Sequence, residues 1–181
     1  TITATGQEKF QFGFTPLLEG FTYVPFNDLQ ALEAAISKKT CGIMVEPIQG
    51  EGGVNIPDAQ YLSSVREICD QHGILLIVDE VQTGIGRTGK LFAYEHSGIK
   101  PDIMTLAKAL GNGFPVGAMM ATDKIAQAFT PGNHASTFGG NPLAMAAAKA
   151  TLKTILQEGV LENCQKVGDY FLSQLKKMQR K

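Results

Sequence analysis

The stretch ILLIVDE, residues 74–80, sets the architecture of this chain. Ile74, Leu75, Leu76, Ile77 and Val78 are apolar without alternation, and Asp79 and Glu80 close the run. A short unbroken apolar run of this kind predicts a strand buried on both faces, as in a parallel sheet. Upstream, the pattern over 58–72 predicts a helix that Gly73 ends in the C′ position. Before it, GIMV (42–45) predicts another buried strand, followed by Glu46 and Pro47. Downstream, 82–98 is a glycine-rich loop leading into a short helix, and strands are expected over 103–106 and 116–121. Toward the start, Asp28 is an N-cap for a helix over 28–38 with Leu29, Leu32 and Ile36 at helical spacing, and FTYVPF (21–26) reads as a short strand. Residues 141–181 form an alanine-rich helical region interrupted near Gly159. Strands alternating with helices define an α/β chain: a mostly parallel sheet with helices on both faces.

Composition agrees with one compact body. The chain has 181 residues, 44% hydrophobic and 18% charged, enough to bury roughly 70% of its unfolded surface without a metal or disulfide staple. Sixteen Lys and Arg against seventeen Asp and Glu leave a net charge of −1, too weak a field to hold nucleic acid or an anionic membrane. No apolar run reaches the ~18 residues a membrane span requires. The opening TITATGQEKF has no signal-peptide pattern and no start methionine, so the expectation is a piece of a longer protein. Cys41, Cys69 and Cys164 are expected as buried, reduced thiols, which fits a cytoplasmic location. His72, His96 and His134 are too scattered to form a ligand set.

In an open α/β sheet, ligands bind beyond the carboxyl ends of the strands. Glu46, Asp79, Glu80 and Lys108 all follow strands directly. A carboxylate at the end of an apolar strand is partly desolvated and needs a cationic partner. If the extended conformation continues past Asp79, Val81 lies on the same side and adds a flat apolar contact. Such a pair suits a planar heterocycle with a protonated ring nitrogen, and one crossover unit brings the Lys108 amine to the same edge. Singly, each residue has a plainer reading: Asp79 as a cap or ion-pair partner, Lys108 as solvated surface. Gly84, Gly86 and Gly89 match neither GxGxxG nor a Walker loop and read as turns.

Together, VEPIQGEGG (45–53), LLIVDEVQTGIGRTGKLFAYEHSGIKPDIMTLAKALGNGFPVGA (75–118) and HASTFGGNPLA (134–144) resemble the class III, fold-type I aminotransferases that use pyridoxal 5′-phosphate (PLP). Within that family the first 36 residues or so are most similar to the acetylornithine aminotransferase branch; ornithine, succinylornithine and 4-aminobutyrate aminotransferases are close relatives. The resemblance implies an aspartate aminotransferase-like large domain, incomplete at both ends. Residues 1–148 would be its central part, and 149–181 a helix leading toward a small domain. It implies that Lys108 forms the Schiff base with PLP and later moves the substrate proton. Asp79 would pair with the pyridine nitrogen, Val81 pack on the ring, and Gln82 bond its phenolic oxygen. Thr137 would reach the phosphate of the neighbouring subunit, making a homodimer with shared active sites; a polar turn is its plainer reading, as it is for Ser136. Glu51 matches a carboxylate that pairs with a distant arginine when no dicarboxylate is bound, a gate between substrates, against the alternative of a solvated loop residue. Glu46 is expected as a structural group beneath the site and Arg87 as a structural ion-pair partner.

The implied reaction moves the δ-amino group of N-acetylornithine to 2-oxoglutarate, in arginine biosynthesis. The alternatives are another class III transaminase, an aminomutase such as glutamate-1-semialdehyde aminomutase, or an inert fragment. The family's enzyme is about twice this length. Its glycine phosphate loop, second ring-stacking aromatic and carboxylate-binding arginines have no counterpart here, since Arg66, Arg87 and Arg180 sit in other settings, so the isolated chain is expected to bind PLP weakly and to be inactive.

Overall fold

The computed structural model describes residues 1–179, in two compact units, Thr1–Thr40 and a second that begins at Cys41. The first unit holds a 3-10 turn, Ile2–Ala4, and two short helices, α1 (Glu8–Gln11) and α2 (Leu29–Ala34). The strand expected over 21–26 is absent: residues 21–25 join no ladder and residue 26 lies in a turn. Pro25 has no N–H to offer a ladder, and Tyr23 anchors the segment by its side chain, donating to the Thr3 carbonyl and accepting from Gln11 Nε2. Asp28 caps α2 as expected, accepting from the Ala31 N–H at 2.9 Å. The helix stops short of residue 38 because Ser37 and Thr40 bond each other's backbone and side chains in a turn.

The second unit is built on a four-stranded sheet: β1 (Gly42–Val45), β2 (Leu75–Asp79), β3 (Ile103–Leu106) and β4 (Ala118–Ala121), in the order β1-β2-β3-β4. β1–β2 and β2–β3 are parallel, whereas β3–β4 is antiparallel. The connection over 107–117 is a 3-10 turn, Lys108–Gly111, and a loop, too short for the crossover that a parallel return needs. β4 therefore begins two residues later than the expected strand, and Val116 packs instead against the core around Leu106 and Leu110. Between β1 and β2 runs α3 (Tyr61–His72), ended by Gly73 at φ 64°. It starts after a turn in which the Tyr61 N–H bonds the Asp58 carbonyl. A 3-10 helix, Ala93–Ser97, lies between β2 and β3. After β4 come α4 (Asp123–Ala126), α5 (Pro142–Gln157) and α6 (Val160–Gln179), the last two separated at Gly159. Arg180 and Lys181, the end of the expected helical region, lie outside the described residues.

Strand pairing aligns Ile43 with Leu76, and Val45 with Val78 and Met104. That face is buried. α3 packs against β2 and buries Tyr61, Leu62, Val65, Ile68 and Cys69. α5 adds Ala148 to a core of Ile85, Met104, Leu106 and Leu110. The opposite face, with Met44, Ile77, Asp79, Thr105 and Met119, is half-open: Met44 and Met119 are each 46% exposed. An ion pair fastens α3 to the strand starts, with Arg66 Nη1 2.7 Å from Asp102 Oδ2. The same oxygen accepts from the Leu76 N–H at 2.8 Å. Burial pushes the Asp102 carboxyl up, but the Arg66 and Leu76 donors outweigh it and hold it below its usual range.

All three cysteines are free. Burial raises the Cys69 thiol to about 11. Cys41 and Cys164 depart from the expectation: Cys41, just ahead of β1, is exposed with its carbonyl accepting from the Leu75 N–H, and Cys164 is half-buried. Among the described residues no group of His, Cys, Asp and Glu is arranged to hold a metal, and no helix is long and apolar enough to cross a membrane.

Candidate active site

β2 delivers Asp79 to the carboxyl edge of the sheet, and there the chain turns. The extended conformation does not continue to Val81. Instead the Val81 N–H folds back onto Asp79 Oδ1 at 2.9 Å, so the two residues are joined by a turn rather than by strand alternation. Glu80 points the other way and is 1% exposed. Its carboxylate accepts from the Thr83 hydroxyl at 2.5 Å and from the Tyr94 N–H at 2.8 Å. The start of the loop is thereby fastened to the Ala93–Ser97 helix. Gly84 follows where a Cβ would lie 2.8 Å from the Glu80 carbonyl oxygen. Ile85, a β-branched residue at φ 56°, is held there by burial in the core.

β3 delivers Lys108, one residue past Ala107, at the first position of a 3-10 turn. Its φ of 42° is a conformation that non-glycine residues seldom adopt, and strain of this kind gathers at functional positions. The side chain is exposed on the open side of the sheet edge. In the amide orientation that the network requires, the Gln82 side-chain oxygen accepts from Lys108 Nζ at 2.8 Å and from the Glu51 N–H at 3.1 Å. The turn closed by the antiparallel Gln49–Asn55 bridge makes room for this arrangement at Gly50, where a Cβ would sit 2.6 Å from the Gln82 carboxamide. Glu46, half-buried at the end of β1, accepts from the Gly50 N–H at 3.1 Å. Burial raises its carboxyl above the usual range, and the negative charges of Asp79 and Glu51 add to this while Gly50 and Lys108 oppose it.

The parallel strands therefore bring Asp79, Val81, Gln82, Lys108 and Glu51 to a single edge. Thr137 lies elsewhere in the chain, in an exposed turn closed by the Gly139 N–H on the Ser136 carbonyl, just ahead of α5. Arg87 is exposed and forms no ion pair among the described residues; its carbonyl accepts from the Cys164 thiol instead. Two contributors had no signal in sequence. One is Gly50, whose lack of a side chain Gln82 requires. The other is Thr105, which lies opposite Asp79 in the sheet and donates its hydroxyl to Asp79 Oδ1 at 3.1 Å. An exposed amine, a carboxylate and a carboxamide converging on an open sheet edge can anchor a planar, carbonyl-bearing, cationic heteroaromatic ring.

Comparison with known proteins gives this geometry a context. The family model for aminotransferase class III matches residues 1–181. An acetylornithine aminotransferase from Caldanaerobacter subterraneus is 57% identical over 180 residues, 99% of this chain and 46% of the relative. One from Methanocaldococcus jannaschii is 51% identical over 98% of this chain and 45% of the relative. Among solved structures, an ornithine aminotransferase from Toxoplasma gondii, with PLP partly occupying its active site, superposes with a TM-score of 0.92 at 39% identity. The match covers 98% of this chain and 43% of that one. The acetylornithine aminotransferase of Elizabethkingia anophelis gives 0.82 at 46% identity, over 87% and 42% of the two chains. The chain thus spans under half the length of the relatives it matches.

Proposed function

This chain belongs to the class III aminotransferase family, and from that premise we propose that it carries the PLP-holding centre of a transaminase. The proposed enzyme passes the δ-amino group of N-acetylornithine to 2-oxoglutarate, giving N-acetylglutamate semialdehyde and glutamate, a step of arginine biosynthesis. The observation that carries this reading is the contact of Lys108 with Gln82 at the sheet edge where β2 ends in Asp79.

The residues fit the cofactor. Asp79 turns one oxygen to Val81 and Thr105 and keeps a second for a ring N–H. Lys108 offers an exposed amine, and Gln82 an amide within reach of the same ligand group. When bound, PLP supplies an electron-accepting pyridine ring for the electrons left as a proton departs from the amine-bearing carbon of the substrate. Asp79 would hold the proton at the ring nitrogen, Val81 would pack against the ring, and Gln82 would bond the phenolic oxygen. Lys108 would anchor the cofactor and would carry the substrate proton. Glu51, on the hairpin beside Gln82, serves as the gate between the amine donor and the dicarboxylate. Thr137 reaches the phosphate held by a partner subunit, so the working unit is a homodimer with shared sites. We assign residues 1–148 to the large domain and 149–181 to the helix toward a small domain, in a cytoplasmic protein.

Likeness to the ornithine aminotransferases favours a second reading in which the donor is unacetylated ornithine. One set of measurements tests both. Added PLP is expected to give a visible band that borohydride reduces, and Lys108→Ala to abolish it. No band in the wild-type chain would reject the proposal. In an enzyme of the relatives' full length that carries this segment, turnover of N-acetylornithine that needs 2-oxoglutarate separates transamination from an aminomutase, and a preference for ornithine would select the second reading.

A further inference from the structure

The two hydrogen bonds that fix Asp79 come from different elements and end on the same oxygen. The Val81 N–H reaches Oδ1 from the turn that follows β2, at 2.9 Å. The Thr105 hydroxyl reaches it across the sheet from β3, at 3.1 Å. Thr105 is paired with Asp79 in register, and its carbonyl also accepts the Glu80 N–H at 3.0 Å. One residue of β3 thereby holds both the carboxylate of Asp79 and the backbone just past it.

Rotation of a carboxylate about its Cβ–Cγ bond is soft, with a broad two-fold profile. A single donor fixes where one oxygen lies but leaves the carboxylate plane free to swing. A second donor from a separate strand removes that freedom, and the oxygen left over has one direction in which to accept. We propose that Thr105 is a positioning residue: together with the Val81 N–H it occupies Oδ1 and presents the other Asp79 oxygen to a protonated ring nitrogen. The inference rests on the PLP reading above and deepens it, because Thr105 acts through Asp79 and touches no reacting atom. The plainer role, a β-branched strand residue whose hydroxyl bonds the nearest acceptor, predicts a different outcome in the following experiment.

Thr105→Val keeps the shape and strand preference and removes the donor, whereas Thr105→Ser keeps the donor. Loss of a hydrogen bond to a charged acceptor is expected to weaken PLP binding by about tenfold in T105V, with T105S within about twofold of wild type. In an Asp79→Asn background the T105V effect should vanish, since the two residues then no longer share a charged bond. Equal PLP dissociation constants for wild type and T105V, or an undiminished effect in the D79N background, would overturn the proposal. A ligand-free readout separates this from failure of the cofactor reading. At neutral pH the carboxyl carbon resonance of Asp79 should move in T105V and stay in place in T105S. If the wild-type chain gives no reducible band, the PLP proposal falls and this resonance alone judges Thr105. An unmoved resonance in T105V overturns the positioning role.

Discussion

Gln82 shows how much depends on a side chain that is not there. Its carboxamide lies where a side chain on residue 50 would be, 2.6 Å from the Cβ position, and it bridges Lys108 and the Glu51 backbone. Gly50→Ala should therefore push Gln82 off Lys108 while leaving the sheet intact. The expected result is PLP binding weakened by about three- to tenfold, the worth of one ordinary hydrogen bond, with an unchanged far-ultraviolet spectrum. Unaltered binding would show that Gln82 has room to retreat without losing its role. Asp79 and Lys108 were legible as strand-end groups because their chemistry is carried by residue type. Thr105 was not, because a threonine in IMTL is an ordinary strand former until the β2–β3 register sets it opposite Asp79.

At the scale of elements, local signals held where the chain satisfies itself locally. The N-terminus of α5 is one case: Asn141 accepts from the Ala144 N–H at 3.0 Å and Pro142 occupies the first turn. Asn141→Ala should cost about 1 kcal/mol, seen as a lower midpoint in urea with an unchanged slope. No change would mean that α5 is held by packing of Ala144 and Ala148 alone. Local signals failed where pairing decides. Residues 21–26 have strand composition but no partner strand, and Pro25 removes a donor. β4 has strand composition too, and its antiparallel direction follows from the shortness of the turn that precedes it.

At the scale of the whole molecule, the Arg66–Asp102 pair joins α3 to the starts of β2 and β3. The Asp102 carboxyl is held below its ordinary 3.8 when folded. Its contribution to stability is therefore complete above that value and is lost as pH falls through the folded value. Glu46, raised above its ordinary 4.5, acts in the opposite sense, and what it contributes is lost as pH climbs through its folded value. Acid unfolding followed by circular dichroism should show a limb below about pH 4 that Asp102→Asn removes. An unchanged limb would assign acid sensitivity to other carboxylates.

Taken alone, the sequence determined the α/β class, the places of the strands along the chain, the carboxylate and amine at their ends, and the family. The class and the strand-end groups follow from local periodicity and residue chemistry, which are properties of neighbours along the chain; the family follows from the resemblance carried by three motifs. The tertiary structure alone decided that β4 runs antiparallel, that Gln82 rests on Lys108 in the space above Gly50, and that Thr105 braces Asp79. Those are relations between segments remote in sequence, set by strand register and turn length.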